Sequence, residues 1–303
     1  MTLRLGTRGS ALALAQSRPV AERLGAEVVT ISTEGDRSDA PLADLGGAGV
    51  FATALRAALL AGEVDVVVHS FKDLPTAPAE GLAIAAVPRR ADARDALCAR
   101  DGLTLDALPP GARVGTGSPR RRAQLAARRS DLELVDIRGN VDTRLGRVGA
   151  ADPERALDAV VLAAAGLERL GRIDAATELL DLDDWPTAPA QGALAIETRA
   201  AEQGVAARLD HRASRLAAEA ERAVLARLEA GCAAPLGVRA FLEDGLLFVT
   251  GRVYALDGSA QLTSSHALYV DDSRDPIGEL AGRIADELLA AGAADLAPLG
   301  RRP

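Results

Sequence analysis

Residues 64–74 read VDVVVHSFKDL and residues 157–167 read LDAVVLAAAGL. Each opens with an Asp-x-Val-Val run, apolar at consecutive positions and bounded by polar or small residues. That pattern suits a strand buried on both faces of a parallel sheet. Working outward, each run follows a second matched pattern. LRLGT at 3–7 leads through Ser10 into the helical stretch ALALAQSRPVAERL, in spite of Pro19. ARVGT at 112–116 leads through Gly117 and Ser118 into a helix that begins at Pro119. Strand, Gly-Thr, Ser, helix, then Asp-x-Val-Val occurs twice. The chain is therefore α/β, with two similar lobes each built on a small sheet.

The C-terminal third reads differently. Pro186, Pro189 and the run DWPTAPAQGALAIE mark a break near 184–192. Beyond it Leu216, Ala220, Val224 and Leu228 recur every four residues, an amphipathic helix that ends at Gly231. The turn signals EDG at 243–245 and LDG at 256–258 separate the stretches VRAFL, LLFVTGRVYA and AQLTSSHALYV. These predict an antiparallel sheet followed by a helix over about 276–291, a small α+β domain.

Composition narrows the function classes. The 303 residues are 48% hydrophobic but only 2% aromatic, so the cores are Ala, Val and Leu. No run of 18 apolar residues occurs, and MTLRLGTRGSALALAQ lacks the basic, apolar and cleavage regions of a secretory leader. A soluble, cytoplasmic protein is expected. Cys98 and Cys232 are far apart in sequence, so neither a disulfide nor a metal site is expected. Net charge is −8 and the isoelectric point about 5.1, which excludes a surface-wide nucleic-acid footprint. Arginines nevertheless concentrate in SPRRR at 118–122 and DIRGNVDTRLGR at 136–147, a locus suited to a small anion.

The repeated strand-to-helix junctions supply such a site. Serine at an N-cap, followed by exposed backbone N–H groups, attracts anions. Thr116-Gly117-Ser118-Pro119-Arg120-Arg121 adds guanidinium forks to one junction, and Thr7-Arg8-Gly9-Ser10 forms a second. Most serine N-caps only cap a helix; their duplication at strand ends, where α/β sheets bind ligands, gives these two weight. Lys72 is the only lysine among 35 lysines and arginines, and it lies just past the buried valine strand beside Asp73. An ion pair at the sheet edge is the plain reading. A site that uses lysine where arginine serves everywhere else points instead to a compact ammonium. Asp73 beside it can donate a proton or stabilise a developing cation. GDRSDAPLADLGGAGV at 35–50 reads either as a lid or as a surface loop. Cys232, in LEAGCAAPLG, falls where a helix yields to a Gly/Pro loop, a placement that favours exposure and reactivity over the usual role of a buried filler.

These residues carry a resemblance. RLGTRGSALALAQ, HSFKDLP, VGTGSPRRRAQLAARR, RGNVDTRL, LAAAGLERLG, PAQGALAIE and LEAGCAAPLG stand in the order and spacing of the porphobilinogen deaminase (hydroxymethylbilane synthase) family, over essentially the whole chain. The resemblance implies two hinged lobes like those of solute-binding proteins, over 1–90 with 190–210 and over 91–189, and a third domain over 211–303. It implies a monomeric, cytoplasmic transferase of porphyrin (haem) biosynthesis that joins four porphobilinogen molecules head to tail, releases ammonia and yields hydroxymethylbilane. It also implies a dipyrromethane cofactor on Cys232, and Asp73 as the catalytic carboxylate acting through an azafulvenium-like cation. Ser70, Lys72, Asp73, Thr116, Ser118, Arg120, Arg121, Asn140 and Arg144 would hold the cofactor. Arg8, Ser10, Phe51, Arg138, Arg169 and Gln191 would line the substrate side. The chain departs from the family pattern at Ala48 and Thr53, where lysines are frequent, at Gly117, where a second serine is common, and at Ala190, where glycine precedes the glutamine.

Two other classes share the anion-binding lobes: a solute-binding protein and the effector domain of a regulator. The N-terminus lacks the leader expected of the first, and no helix-turn-helix segment supports the second. A nucleic-acid role for SPRRR is opposed by the acidic isoelectric point and the scarcity of aromatics.

Overall fold

The first lobe begins with β1 (Leu3–Thr7), α1 (Ala11–Leu24), β2 (Ala26–Thr30), α2 (Gly49–Leu60), β3 (Val66–Ser70) and β4 (Leu82–Ala86). The second follows with β5 (Asp95–Ala99), β6 (Arg113–Gly115), α3 (Pro119–Arg128), β7 (Glu133–Val135), α4 (Val141–Leu145), β8 (Ala159–Ala163), α5 (Ala164–Arg169) and β9 (Glu178–Leu179). β10 (Leu194–Arg199) then returns to the first sheet. The remaining elements are α6 (Arg212–Arg227), β11 (Leu236–Glu243), β12 (Leu246–Tyr254), β13 (Gln261–Tyr269), α7 (Pro276–Ala290) and α8 (Ala293–Leu296). This computed structural model describes residues 2–32, 49–231 and 234–299. The segment 33–48, which holds most of the expected lid, and Cys232 lie outside the described residues, as does the side chain of Phe51 on α2.

The two lobes share one topology. Their strand orders are β2-β1-β3-β10-β4 and β7-β6-β8-β5-β9. In each, the first three strands are parallel and the fourth runs antiparallel to both of its neighbours. The parallel sheet expected around the valine strand is in fact mixed: β3 has parallel β1 on one side and antiparallel β10 on the other, with Val68 opposite Ile196. The reason lies in connectivity. The fourth strand of each sheet is the one by which the chain enters that lobe from the other, β5 for the second and β10 for the first, and such a segment needs no crossover helix.

Both faces of these sheets are apolar, as the valine runs require. Val66 and Val68 face Val20, Ala21 and Leu24 of α1, whereas Val67 faces Leu55 and Leu59 of α2. In the second lobe Val161 joins Leu97, Val114 and Leu125 on one face, and Val160 and Leu162 join Ala96, Cys98 and Leu167 on the other. The helix starts follow the sequence. Ser10 caps α1 by accepting from the Ala13 N–H at 3.3 Å, and Ser118 caps α3 by accepting from the Arg121 N–H at 3.4 Å, with Pro119 in the first turn.

The third sheet, β11-β12-β13, is antiparallel throughout, with α7 packed on β12 and β13. The chain forms two compact units, Met1–Ala91 with Gly192–Ala218, and Asp92–Gln191 with Glu219–Pro303. The C-terminal sheet thus belongs to the same unit as the second lobe. Gln124 of α3 donates to the Tyr254 hydroxyl at 3.0 Å, and Arg252 donates to the carbonyls of Asp183 and Asp184. Glu221 of α6, fully buried, accepts from the Ala190 N–H at 2.6 Å and the Ala240 N–H at 2.8 Å.

Candidate active site

In the first unit the expected residues gather at one edge of the sheet. β1 and β3 are parallel neighbours, so the segments leaving their C-terminal ends emerge together. From β1 come half-buried Arg8 and exposed Ser10. From β3 come Ser70 and a single 3-10 turn, Phe71–Asp73. Phe71 and Leu74 are buried, and the Phe71 N–H donates to the Ala193 carbonyl at 3.0 Å. These anchors fix the turn, leaving Lys72 half-buried and Asp73 exposed. Gln16, buried on α1, donates to the Ser70 hydroxyl at 2.8 Å and so sets its direction.

Beneath this edge lies a buried ionic group that the sequence did not disclose. Glu197 of β10 accepts three bonds from Arg56 of α2, at 2.9 and 3.1 Å to one oxygen and 3.1 Å to the other, and faces His69 Nε2 at 3.2 Å. Burial alone would raise the Glu197 pKa; hydrogen bonds from His69 and Arg56 overcome it and hold the carboxyl below its usual range. His69 directly precedes Ser70, so this group supports the strand that presents Lys72 and Asp73.

In the second unit the parallel strands β6, β7 and β8 end at the segments carrying Thr116 to Arg121, Arg138 to Arg144, and Arg169. Thr116 is fully buried and its hydroxyl accepts from the Ser118 N–H at 3.2 Å, shaping the loop from within. Gly117 packs so closely that a Cβ there would stand 2.7 Å from the Ile137 carbonyl oxygen, which accounts for glycine in place of serine. Asn140 caps α4 by accepting from the Thr143 N–H at 2.9 Å. Arg144 is half-buried and its Nε donates to the Gly139 carbonyl at 2.8 Å. Its pKa is lowered, first by burial and then by the positive charges of Arg121 and Arg138, with Asp136 opposing. Arg169 is lowered by burial as well. Arg121, Arg138 and Arg144 thus lie close enough for their charges to repel.

Arg120, Arg121 and Gln191 are placed differently from an open ligand-facing surface. All three are buried and converge on Asp95, which is fully buried at the start of β5. Asp95 Oδ1 accepts from Arg121 at 2.6 Å and Gln191 at 2.7 Å; Oδ2 accepts from Arg120 and from the Trp185 indole, each at 2.9 Å. Burial would raise this carboxyl, but the charges of Arg120 and Arg121 dominate and hold it far below the usual carboxylate range. Arg120 also donates to Gln124 and to the Pro186 carbonyl, and Arg121 to the Val161 carbonyl at 3.0 Å. The Nε atoms of both arginines are buried without a partner. Asp95 was missed because an aspartate opening the apolar stretch DALCA carries no periodic signal of its own.

Of the cysteines, Cys98 is buried in the core and its thiol is pushed up to about 11 by burial, which removes it as a nucleophile at neutral pH. Among the described residues there is no cluster of His, Cys, Asp and Glu suited to a metal ion, and no helix long and apolar enough to cross a membrane.

Fold and site together define a protein of two α/β lobes, with serine-capped helix starts and basic side chains at the strand ends, and an appended α+β domain. Residues 3–207 match the family model described as porphobilinogen deaminase, dipyrromethane cofactor binding domain, and residues 215–289 match that of the porphobilinogen deaminase C-terminal domain. The chain belongs to the porphobilinogen deaminase family. It is 58% identical to the porphobilinogen deaminase of Leifsonia xyli, over 98% of this chain and 94% of that one. It is 53% identical to that of Cutibacterium acnes, over 98% and 97%. Among solved structures, an ABC transporter protein from Parabacteroides distasonis is similar at 15% identity and a TM-score of 0.39, over 74% of each chain.

Proposed function

We propose that the chain adds four porphobilinogen molecules head to tail onto a dipyrromethane held on Cys232, with release of one ammonia at each addition, that water then cleaves the new tetrapyrrole from the dipyrromethane as hydroxymethylbilane, and that the protein works as a cytoplasmic monomer. The carrying observation is Asp73: an exposed carboxylate on a turn pinned by buried Phe71 and Leu74, beside the only lysine in the chain. The donor set suits the cofactor. Each pyrrole bears acetate and propionate groups, and Arg121, Arg138 and Arg144 form a cationic group suited to carboxylates. When bound, dipyrromethane supplies a nucleophilic pyrrole carbon.

The protein's own residues do the rest. Asp73 accepts a hydrogen bond from pyrrole N–H, holds the proton needed by the departing aminomethyl nitrogen, and balances the cation left on the substrate. Lys72 and Ser70, the latter oriented by Gln16, hold cofactor carboxylates, as do Ser118, Arg121 and Arg144. Thr116 and Asn140 support that region by shaping the loop and capping α4. Arg8, Ser10, Phe51, Arg138 and Arg169 receive incoming substrate. Arg120 and Gln191 act from behind, through Asp95.

Intact mass and peptide mapping test this reading. The purified protein, after incubation with porphobilinogen, is expected to carry two condensed pyrrole units on the peptide containing Cys232, none on that containing Cys98, and to release ammonia. Absence of any adduct and of ammonia would remove the proposal. Replacing Lys72 with Arg is expected to lower kcat/KM roughly tenfold, the scale of one lost charge-assisted hydrogen bond, because the planar fork cannot take the place of a compact ammonium. Unchanged kinetics in that variant would make the lone lysine incidental.

A further inference from the structure

Asp95 touches no surface, yet it joins four side chains from three parts of the second unit: Arg120 and Arg121 of α3, Trp185, and Gln191. Each oxygen accepts two hydrogen bonds, so the carboxylate is saturated. Two adjacent guanidinium groups repel, and without a shared anion Arg120 and Arg121 would not both remain buried at the first turn of α3. With it, Arg121 is locked between Asp95 and the Val161 carbonyl, and its charge is close enough to those of Arg138 and Arg144 to depress Arg144. Arg120 is turned the other way, toward Gln124 and Pro186. The carboxylate therefore decides which guanidinium faces the cationic group and where it stands.

Gln191 adds a second constraint. Its amide donates to Asp95 and also to the carbonyls of Ala93 and Arg94, tying the segment by which the chain enters the second lobe to the one by which it leaves. The same carboxylate thus fixes the α3 arginines and both chain crossings. We propose that Asp95 is a positioning residue for cofactor recognition: it sets Arg121, within the Arg121, Arg138 and Arg144 group, at the place where a dipyrromethane carboxylate binds. This rests on the function proposed above.

The test compares wild type, Asp95→Asn and Asp95→Glu, each purified as folded monodisperse protein after expression without added porphobilinogen. Intact mass gives the fraction of chains bearing the two-pyrrole adduct, and thermal unfolding is recorded alongside. Loss of an oriented, charge-assisted contact should leave the adduct on about tenfold fewer folded Asp95→Asn chains, with Asp95→Glu between that and wild type. If Asp95→Asn does not fold, Asp95→Glu decides alone. It keeps the neutralising charge but displaces it by one methylene, so positioning still requires reduced loading. Wild-type loading in the folded variants, whatever their melting temperature, would reduce Asp95 to a structural role and overturn the proposal. Absence of the adduct from the wild type itself after incubation with porphobilinogen would instead mark failure of the functional reading, so the two outcomes are distinct.

Discussion

Replacing Asp73 with Asn is expected to slow ammonia release from porphobilinogen by about 10²–10⁴-fold, the usual contribution of a positioned acid or base. The fold should be unaffected. Asp73 is exposed, and its turn is fixed by Phe71, Leu74 and the bond to Ala193, none of which involves the carboxyl. The amide is nearly isosteric and can still accept a hydrogen bond from pyrrole N–H, so substrate binding should change less than turnover. It cannot hold the proton or balance the cation, and kcat therefore carries the loss. Single-turnover ammonia release, with circular dichroism to verify the fold, separates these terms. Turnover within a few-fold of wild type would place the catalytic carboxylate elsewhere.

Replacing Glu197 with Ala should destabilise the first lobe substantially. The substitution leaves the Arg56 guanidinium without its carboxylate hydrogen bonds and the His69 ring facing a void, both largely buried. Removing one partner of a buried ionic group costs about 3–5 kcal/mol. Urea unfolding should show a lower midpoint at unchanged slope. The pH dependence has a definite sign. Because the folded-state pKa of Glu197 is depressed, its contribution is complete above the ordinary glutamate pKa and fades as pH falls through the folded value. The stability difference between wild type and variant should therefore shrink in acid. A difference independent of pH would show that packing, not charge, is what Glu197 contributes.

The two lobes were legible where local rules suffice. Ser10 and Ser118 announce their helices because an N-cap needs only its own hydroxyl and the next turn, and the turns EDG and LDG announce the third sheet for the same reason. β5 and β10 were not legible. DALCA opens with an aspartate and LAIETR encloses a glutamate, and an acidic residue in a fully buried strand is tolerable only because arginines distant in sequence reach it. The site divided along the same line. Asp73 and the anion junctions could be found at strand ends. Which arginines of SPRRR turn inward depends on the helix face packed against Asp95, which no local pattern records. Ala190 shows a departure gaining meaning from backbone geometry. Its φ of +63° lies in the left-handed region that favours glycine, and the bond from its N–H to Glu221 helps to retain that conformation.

The late return of β10 to the first sheet has a consequence for biosynthesis. Every strand of the second sheet lies within one continuous stretch of chain, whereas the first sheet waits for β10 to fill the position between β3 and β4. On the ribosome the N-terminal lobe is thus translated first but completed after its successor, with two unsatisfied strand edges exposed while the second lobe emerges. That interval gives the protein a non-local step in folding and its greatest exposure to aggregation, before any pyrrole can be bound.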